Sequence, residues 1–217
     1  MYDSLKKVNR NSIKQEIYDQ VKSSLFNNEL PLDQFITEVE LSNLLEVSRT
    51  PVREAINELV LEQLMIFKPR KGYKVNTFTN HEIDQIFLLR ESLEIACVPF
   101  IVKVINAEHL KDLKIIIENQ TKAAQSDDYY TFMLLDKNFH TYLMKIIQFE
   151  LFLKSYNVQH DLSILIGTQG LKSQGRMMEV IAEHNEIIEA LEHKDEAKIV
   201  NAMKAHLEKS MTAFKVK

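Results

Sequence analysis

The 217-residue sequence has one cysteine, four glycines and four prolines. A lone Cys97 excludes an intrachain disulfide framework and any cysteine-based zinc finger. Its apolar helical surroundings make it a buried structural thiol. Gly72, Gly167, Gly170 and Gly175 are too scattered to form a phosphate-cradling loop, so nucleotide-dependent chemistry lacks a site. Scarce glycine and proline suit long helices, whose interiors tolerate neither. The most apolar run, Val98 to Ile105, is far too short to cross a bilayer. Met1 to Ser12 is polar, without the apolar core of a signal peptide, so cytoplasmic residence is expected.

What is present is a globular mixture, 45% hydrophobic and 27% charged, with a net charge of −4. The charge is unevenly spread. Residues 1–78 carry equal numbers of acidic and basic side chains, and the acid excess lies in 79–217. Lys68, Arg70, Lys71 and Lys74 share a stretch without a single acid. The chain is therefore expected to form two domains, 1–78 and 79–217, the whole mainly α-helical.

In the first domain Ile13, Ile17, Val21 and Leu25 recur at helical spacing, predicting a helix that ends near Asn27-Asn28. Thr37-Glu-Val-Glu40 has the form of a capping box and starts a short second helix. After a tight turn at Glu46-Val47, Ser48 is placed to cap a third helix, with Pro51 admissible in its first turn. Met65-Ile-Phe67 and Tyr73-Lys-Val75 flank Pro69-Arg-Lys-Gly72, a hairpin with a basic tip. Helix, turn, helix and hairpin make a winged helix-turn-helix.

The run Leu41 to Ile56, containing Val-Ser-Arg-Thr-Pro-Val-Arg-Glu-Ala, followed by Gly72-Tyr-Lys-Val75, closely resembles the GntR family of bacterial transcription regulators. One departure is Leu32-Asp-Gln34, where the family has a Pro-Gly-containing turn. Arg49 and Arg53 are one turn apart, and their planar heads suit guanine or phosphate. Ser48 and Thr50 sit where a helix N-terminus favours phosphate. The resemblance implies DNA contacts at Ser48, Arg49, Thr50 and Arg53, and at the wing tip through Arg70, Lys71 and Gly72. Val39, where relatives can carry a contacting Arg, has no side-chain donor.

Beyond Val75 the pattern is all helical. Thr79-Asn-His-Glu82 is a second capping box, opening a helix that Pro99 is expected to kink or end. Further helices are expected at about 108–125, 128–147, 149–166, 176–193 and 195–214, with Gly167 to Gly175 as a loop. Asp136 and His140 fall on the apolar stripe of one helix and His184 on that of another, while His206 flanks a third. Unpaired, such groups would cost several kcal/mol to bury. Taken singly, an inward histidine fits an ordinary core hydrogen bond; a divalent cation would accept all four.

Asp136-Lys-Asn-Phe-His140, Glu183-His-Asn-Glu-Ile187 and Ala202 to Leu207 are similar to the metal-ligand segments of the FCD branch of GntR regulators. The resemblance implies Asp136, His140, His184 and His206 as ligands of a divalent metal, Zn first, with Ni or Mn as alternatives. It also implies a small organic acid effector, for which Arg90 offers a carboxylate clamp, although Glu94 lies one turn away as a competing partner. His81, His109, His160 and His193 match no ligand segment. The function expected is regulation of a palindromic operator by a homodimer. A metal-dependent hydrolase and a constitutive DNA binder with a structural metal are the alternatives; Glu183 is the one candidate general base for the former.

Overall fold

The computed structural model describes residues 11–170 and 174–215. The chain divides between Thr77 and Phe78 into two compact units. Ser4 to Arg10 and the segment around Ser173 lie outside the described residues.

The first unit contains α1 (Asn11–Phe26), α2 (Glu38–Leu44), α3 (Arg49–Leu61), β1 (Met65–Lys68) and β2 (Gly72–Val75). Helix α1 packs on α3, joining Ile17, Val21 and Leu25 to a core with Val52, Ala55, Ile56 and Leu59. Ile13, one turn earlier in the stripe, is half exposed. Thr37 forms the reciprocal capping box with Glu40 that its spacing predicts. Ser48 occupies the N-cap of α3, but its side chain makes no capping hydrogen bond. That leaves its hydroxyl available at an exposed helix end.

The two strands pair antiparallel, Met65 opposite Val75 and Lys68 opposite Gly72. Ile36 adds an isolated bridge to Tyr73, tying the segment before α2 to the wing. Gly72 is fixed by this arrangement. Its φ is +105°, and a Cβ would lie 2.5 Å from the Ile36 carbonyl oxygen, so only glycine fits.

The second unit contains α4 (Asn80–Val104), α5 (Ala107–Gln125), α6 (Tyr129–Lys145), α7 (Glu150–Gly170), α8 (Gln174–Glu192) and α9 (Glu196–Phe214). Packing neighbours close into a ring in the order α4, α9, α8, α5, α6, α7 and back to α4. Thr79 with Glu82 caps α4, and Asp195 caps α9 through the Lys198 amide. Among the described residues no helix is long and apolar enough to cross a membrane.

Two expectations are corrected. Pro99 does not end α4, which continues to Val104 because Cys97, Val98 and Ile101 are buried on both sides of it. Burial of that face outweighs one missing backbone hydrogen bond. Gly167 does not open a loop either: α7 runs through it to Gly170. A Cβ at 167 would lie 2.7 Å from the Tyr129 hydroxyl oxygen and 3.0 Å from Phe214 Cζ. The glycine permits close packing within a helix.

Candidate metal centre and nucleic-acid interface

Asp136 and His140 lie one turn apart on α6, His184 projects from α8 and His206 from α9. Each is at most 6% exposed. One ligand atom from each lies within 4.8 Å of every other, so the four residues singled out from the sequence share one buried point. His140 Nε2 is 3.2 Å from His206 Nε2, and His184 Nε2 is 3.4 Å from Asp136 Oδ1. Phe139 stacks on the His184 ring at 4.1 Å between centroids, fixing its plane.

The opposite edges of the three imidazoles are each anchored by another helix. His140 Nδ1 is 2.7 Å from Glu94 Oε2 on α4, and His206 Nδ1 is 2.8 Å from Glu183 Oε2 on α8. His184 Nδ1 is 3.0 Å from Gln120 Oε1 on α5. An acceptor at Nδ1 requires the proton to sit there, which leaves the lone pair on Nε2. Burial depresses the pKa of both His184 and His206, so no second proton fills the gap. Three imidazole Nε2 atoms and a carboxylate therefore face one another, and His184 Nε2 has no hydrogen-bond partner. That donor set fits a divalent cation, and each imidazole is held by the kind of outer partner that metal-ligating histidines use.

Burial alone would raise the Asp136 carboxyl, yet His160 Nε2, 3.2 Å from Oδ2, helps hold it well below the ordinary range. Glu94 and Glu183 are pushed up by burial but brought down to about 2, by His140 and Arg90 in one case and His206 and Arg176 in the other. Arg90 pairs with Glu94 at 3.4 Å and donates to the Tyr156 hydroxyl at 3.3 Å. Arg176 forks onto Glu183 at 2.7 and 2.9 Å, with exposed Lys209 a further 3.5 Å neighbour. Each arginine thus offsets one of these two carboxylates.

A small cavity of about 30 Å³ adjoins Asp136, lined by Arg90, Tyr129, Phe132, Arg176, Ser210 and Phe214 among others. Arg90 lines this space and pairs with Glu94, the competing partner one turn away. Burial raises the Tyr129 hydroxyl's pKa, keeping it a proton donor at neutral pH. Gln120, His160 and Arg176 escaped the sequence reading. Gln120 and His160 belong to no ligand pattern, although their place on buried helical faces was a usable signal. His81 and His193 are exposed, and His109 is half-buried.

In the first unit Ser48, Arg49, Thr50, Arg53, Arg70 and Lys71 are exposed, with Gly72 half-buried at the wing. Arg49 and Arg53 share the exposed face of α3. Both reach Glu38 of α2, which accepts from Arg53 Nε and Nη2 at 2.8 and 2.7 Å and from Arg49 Nη2 at 3.4 Å. The Arg53 fork brings the Glu38 carboxyl down to about 2.

Residues 13–75 match the family of bacterial regulatory proteins named gntR, and residues 85–209 match the FCD domain. The helix-turn-helix transcriptional regulator YdhC of Bacillus subtilis is 24% identical over 192 residues, covering 88% of this chain and 86% of that protein. The transcriptional repressor RspR of Escherichia coli is 24% identical over 199 residues, 90% of this chain and 86% of the other. The solved structure of E. coli McbR/YncC aligns with a TM-score of 0.79 at 17% identity, covering 94% of this chain and 97% of that one.

Proposed function

Since the chain belongs to the FCD branch of the GntR regulators, DNA-binding transcription regulators rather than enzymes, we propose that its operator affinity is set by a small carboxylic acid and a divalent metal in the helical bundle. The observation that carries this reading is the convergence of three anchored imidazole Nε2 atoms and Asp136 on one buried point. Asp136, His140, His184 and His206 would hold the ion, with Zn favoured and Ni or Mn as alternatives. A bound ion supplies a Lewis-acidic site for an anionic oxygen. Arg90, Arg176 and the Tyr129 hydroxyl, all lining the adjoining cavity, are placed to orient the acid and exclude water.

On the DNA side, Arg49 and Arg53 would reach base edges in the major groove and Ser48 and Thr50 the phosphates. Arg70 and Lys71 would contact the backbone from the wing, where Gly72 sets the turn. A homodimer on a palindromic operator follows from the few contacts that one winged helix makes. The acid regulates only if it prefers one of two arrangements of the paired DNA-binding units.

The test combines metal analysis of purified wild type and His184→Ala with DNA binding titrated by a panel of small mono- and dicarboxylates. Wild type should carry one divalent ion per chain, His184→Ala much less, with a lower melting temperature and no acid response. Metal-free wild type that refuses Zn, Ni and Mn and melts unchanged would refute the metal reading. An acid response retained by the metal-depleted protein would refute the coupling.

A further inference from the structure

Glu38 is the first residue of α2, yet its interactions are with other elements. Its side chain is only 14% exposed, beneath the Arg49 and Arg53 side chains at 58% and 55%. One carboxylate receives four donors: Arg53 Nε and Nη2, Arg49 Nη2, and the Tyr73 hydroxyl of β2 at 3.0 Å. It thereby joins the recognition helix, the helix before it and the wing. A solvent-exposed arginine ordinarily samples many rotamers, and here the fork fixes one.

A guanidinium has five N–H groups in a plane. Two of the Arg53 donors point at Glu38, and of the three that remain, one on Nη1 and one on Nη2 form the adjacent outer edge of the head. Two parallel donors on that edge match the O6 and N7 acceptors that guanine shows in the major groove. We propose that Glu38 is a positioning residue for base readout, holding Arg53 in the rotamer that presents its outer Nη edge to a guanine. The proposal rests on the reading of Arg53 as a DNA contact and adds the device that orders it. Val39, beside Glu38, has no side-chain donor, so selectivity from this part of α2 would come through Glu38 and Arg53.

The charge gives the proposal an opposed signature. Glu38 repels phosphate, so its neutralisation strengthens sequence-independent binding, while release of Arg53 weakens recognition of the correct base. The experiment uses the full chain, a duplex selected by the wild-type protein from a random-sequence pool, and a scrambled duplex of equal length. Glu38→Gln should bind the selected duplex about three- to tenfold more weakly, the gain from presetting one rotamer-rich side chain. It should bind the scrambled duplex up to about twofold more tightly. In an Arg53→Ala background Glu38→Gln should no longer change selectivity.

Tighter binding of Glu38→Gln to both duplexes would show that Glu38 competes with DNA, overturning the proposal. Unchanged selectivity in a folded Glu38→Gln protein would do the same, provided Arg53→Ala loses selectivity. Arg53→Ala binding like wild type would instead refute the underlying contact and the proposal with it. A destabilised fold would weaken both duplexes together and lower the melting temperature. Should Glu38→Gln not fold, Glu38→Asp replaces it: the shortened reach should weaken binding to the selected duplex, while the retained charge leaves the scrambled duplex unchanged, and unchanged selectivity overturns the proposal.

Discussion

Gln120→Leu separates the metal centre from the stability of the bundle that contains it. Gln120 is fully buried, its Oε1 accepts from His184 Nδ1 at 3.0 Å, and its Nε2 has no hydrogen-bond partner. Leucine removes the acceptor and leaves a buried imidazole N–H unpaired, at a cost of about 1–3 kcal/mol. It also removes an unsatisfied amide donor, which returns an amount of about the same size. The metal-free variant should therefore melt close to wild type, within about 1 kcal/mol in stability. Metal affinity should not be spared. Losing the outer partner of a ligating histidine typically lowers affinity about 10- to 100-fold, or about 1.4–2.7 kcal/mol. Competition against a chelating dye with Zn, Ni and Mn gives the affinity, and thermal melts after chelation give the stability. Gln120→Glu, which copies the acceptors at His140 and His206, should keep or tighten metal binding while destabilising the metal-free protein. An affinity for Gln120→Leu within threefold of wild type would refute the reasoning that Nδ1 anchoring aims His184 Nε2.

The remaining predictions concern protons and packing. The pKa values of His160, His184 and His206 are lowered by burial, His160 to about 4. For groups that stay neutral when folded, the stability they contribute is complete above the unfolded pKa and declines as pH falls towards the folded one. Chemical denaturation of the metal-free protein should show stability falling as pH drops below about 6.5. The His184 and His206 ring resonances of the folded metal-free protein should not titrate through the same pH; protonation of either centred at about 6.5 would contradict their burial. Gly167→Ala should cost about 1 kcal/mol, as overpacking of about 1–3 kcal/mol against Tyr129 and Phe214 outweighs alanine's better helix propensity of about 1 kcal/mol. Denaturant midpoints with an unchanged slope would measure it, and a more stable variant would mean that both side chains swing away freely.

Helix-period stripes and the two Thr-x-x-Glu boxes made most of the architecture legible, because caps and amphipathic faces are local features. The misread places are tertiary. Gly167 was taken for a loop because its reason lies in Tyr129 and Phe214, both more than thirty positions away. Of the two outcomes expected at Pro99, a kink or an end, the helix end does not occur, because burial on both sides carries α4 past it. In the site, Asp136, His140, His184 and His206 stood out as polar residues on or beside apolar stripes. Gln120 and His160 also lie on buried faces, but only three-dimensional contact ties them to the donor set. Glu38 illustrates the same limit: its capping-box position hid its second task, since Arg53 and Tyr73 are distant in sequence.

The donor set recruits the whole ring of helices. Glu94 comes from α4, Gln120 from α5, Asp136 and His140 from α6, His160 from α7, Glu183 and His184 from α8 and His206 from α9. Detaching any one of these helices would remove either a ligand or the group that aims one. Partly opened forms of this unit would thus lose a bound ion together with the helix. An ion that binds only the closed form raises the free energy of each such opening equally, by about 2.7 kcal/mol at a hundredfold excess over Kd. Amide hydrogen exchange from local openings would then slow by a common factor in α4 to α9. Metal loading would therefore keep the order of these openings and make each of them rarer by the same factor, about a hundredfold.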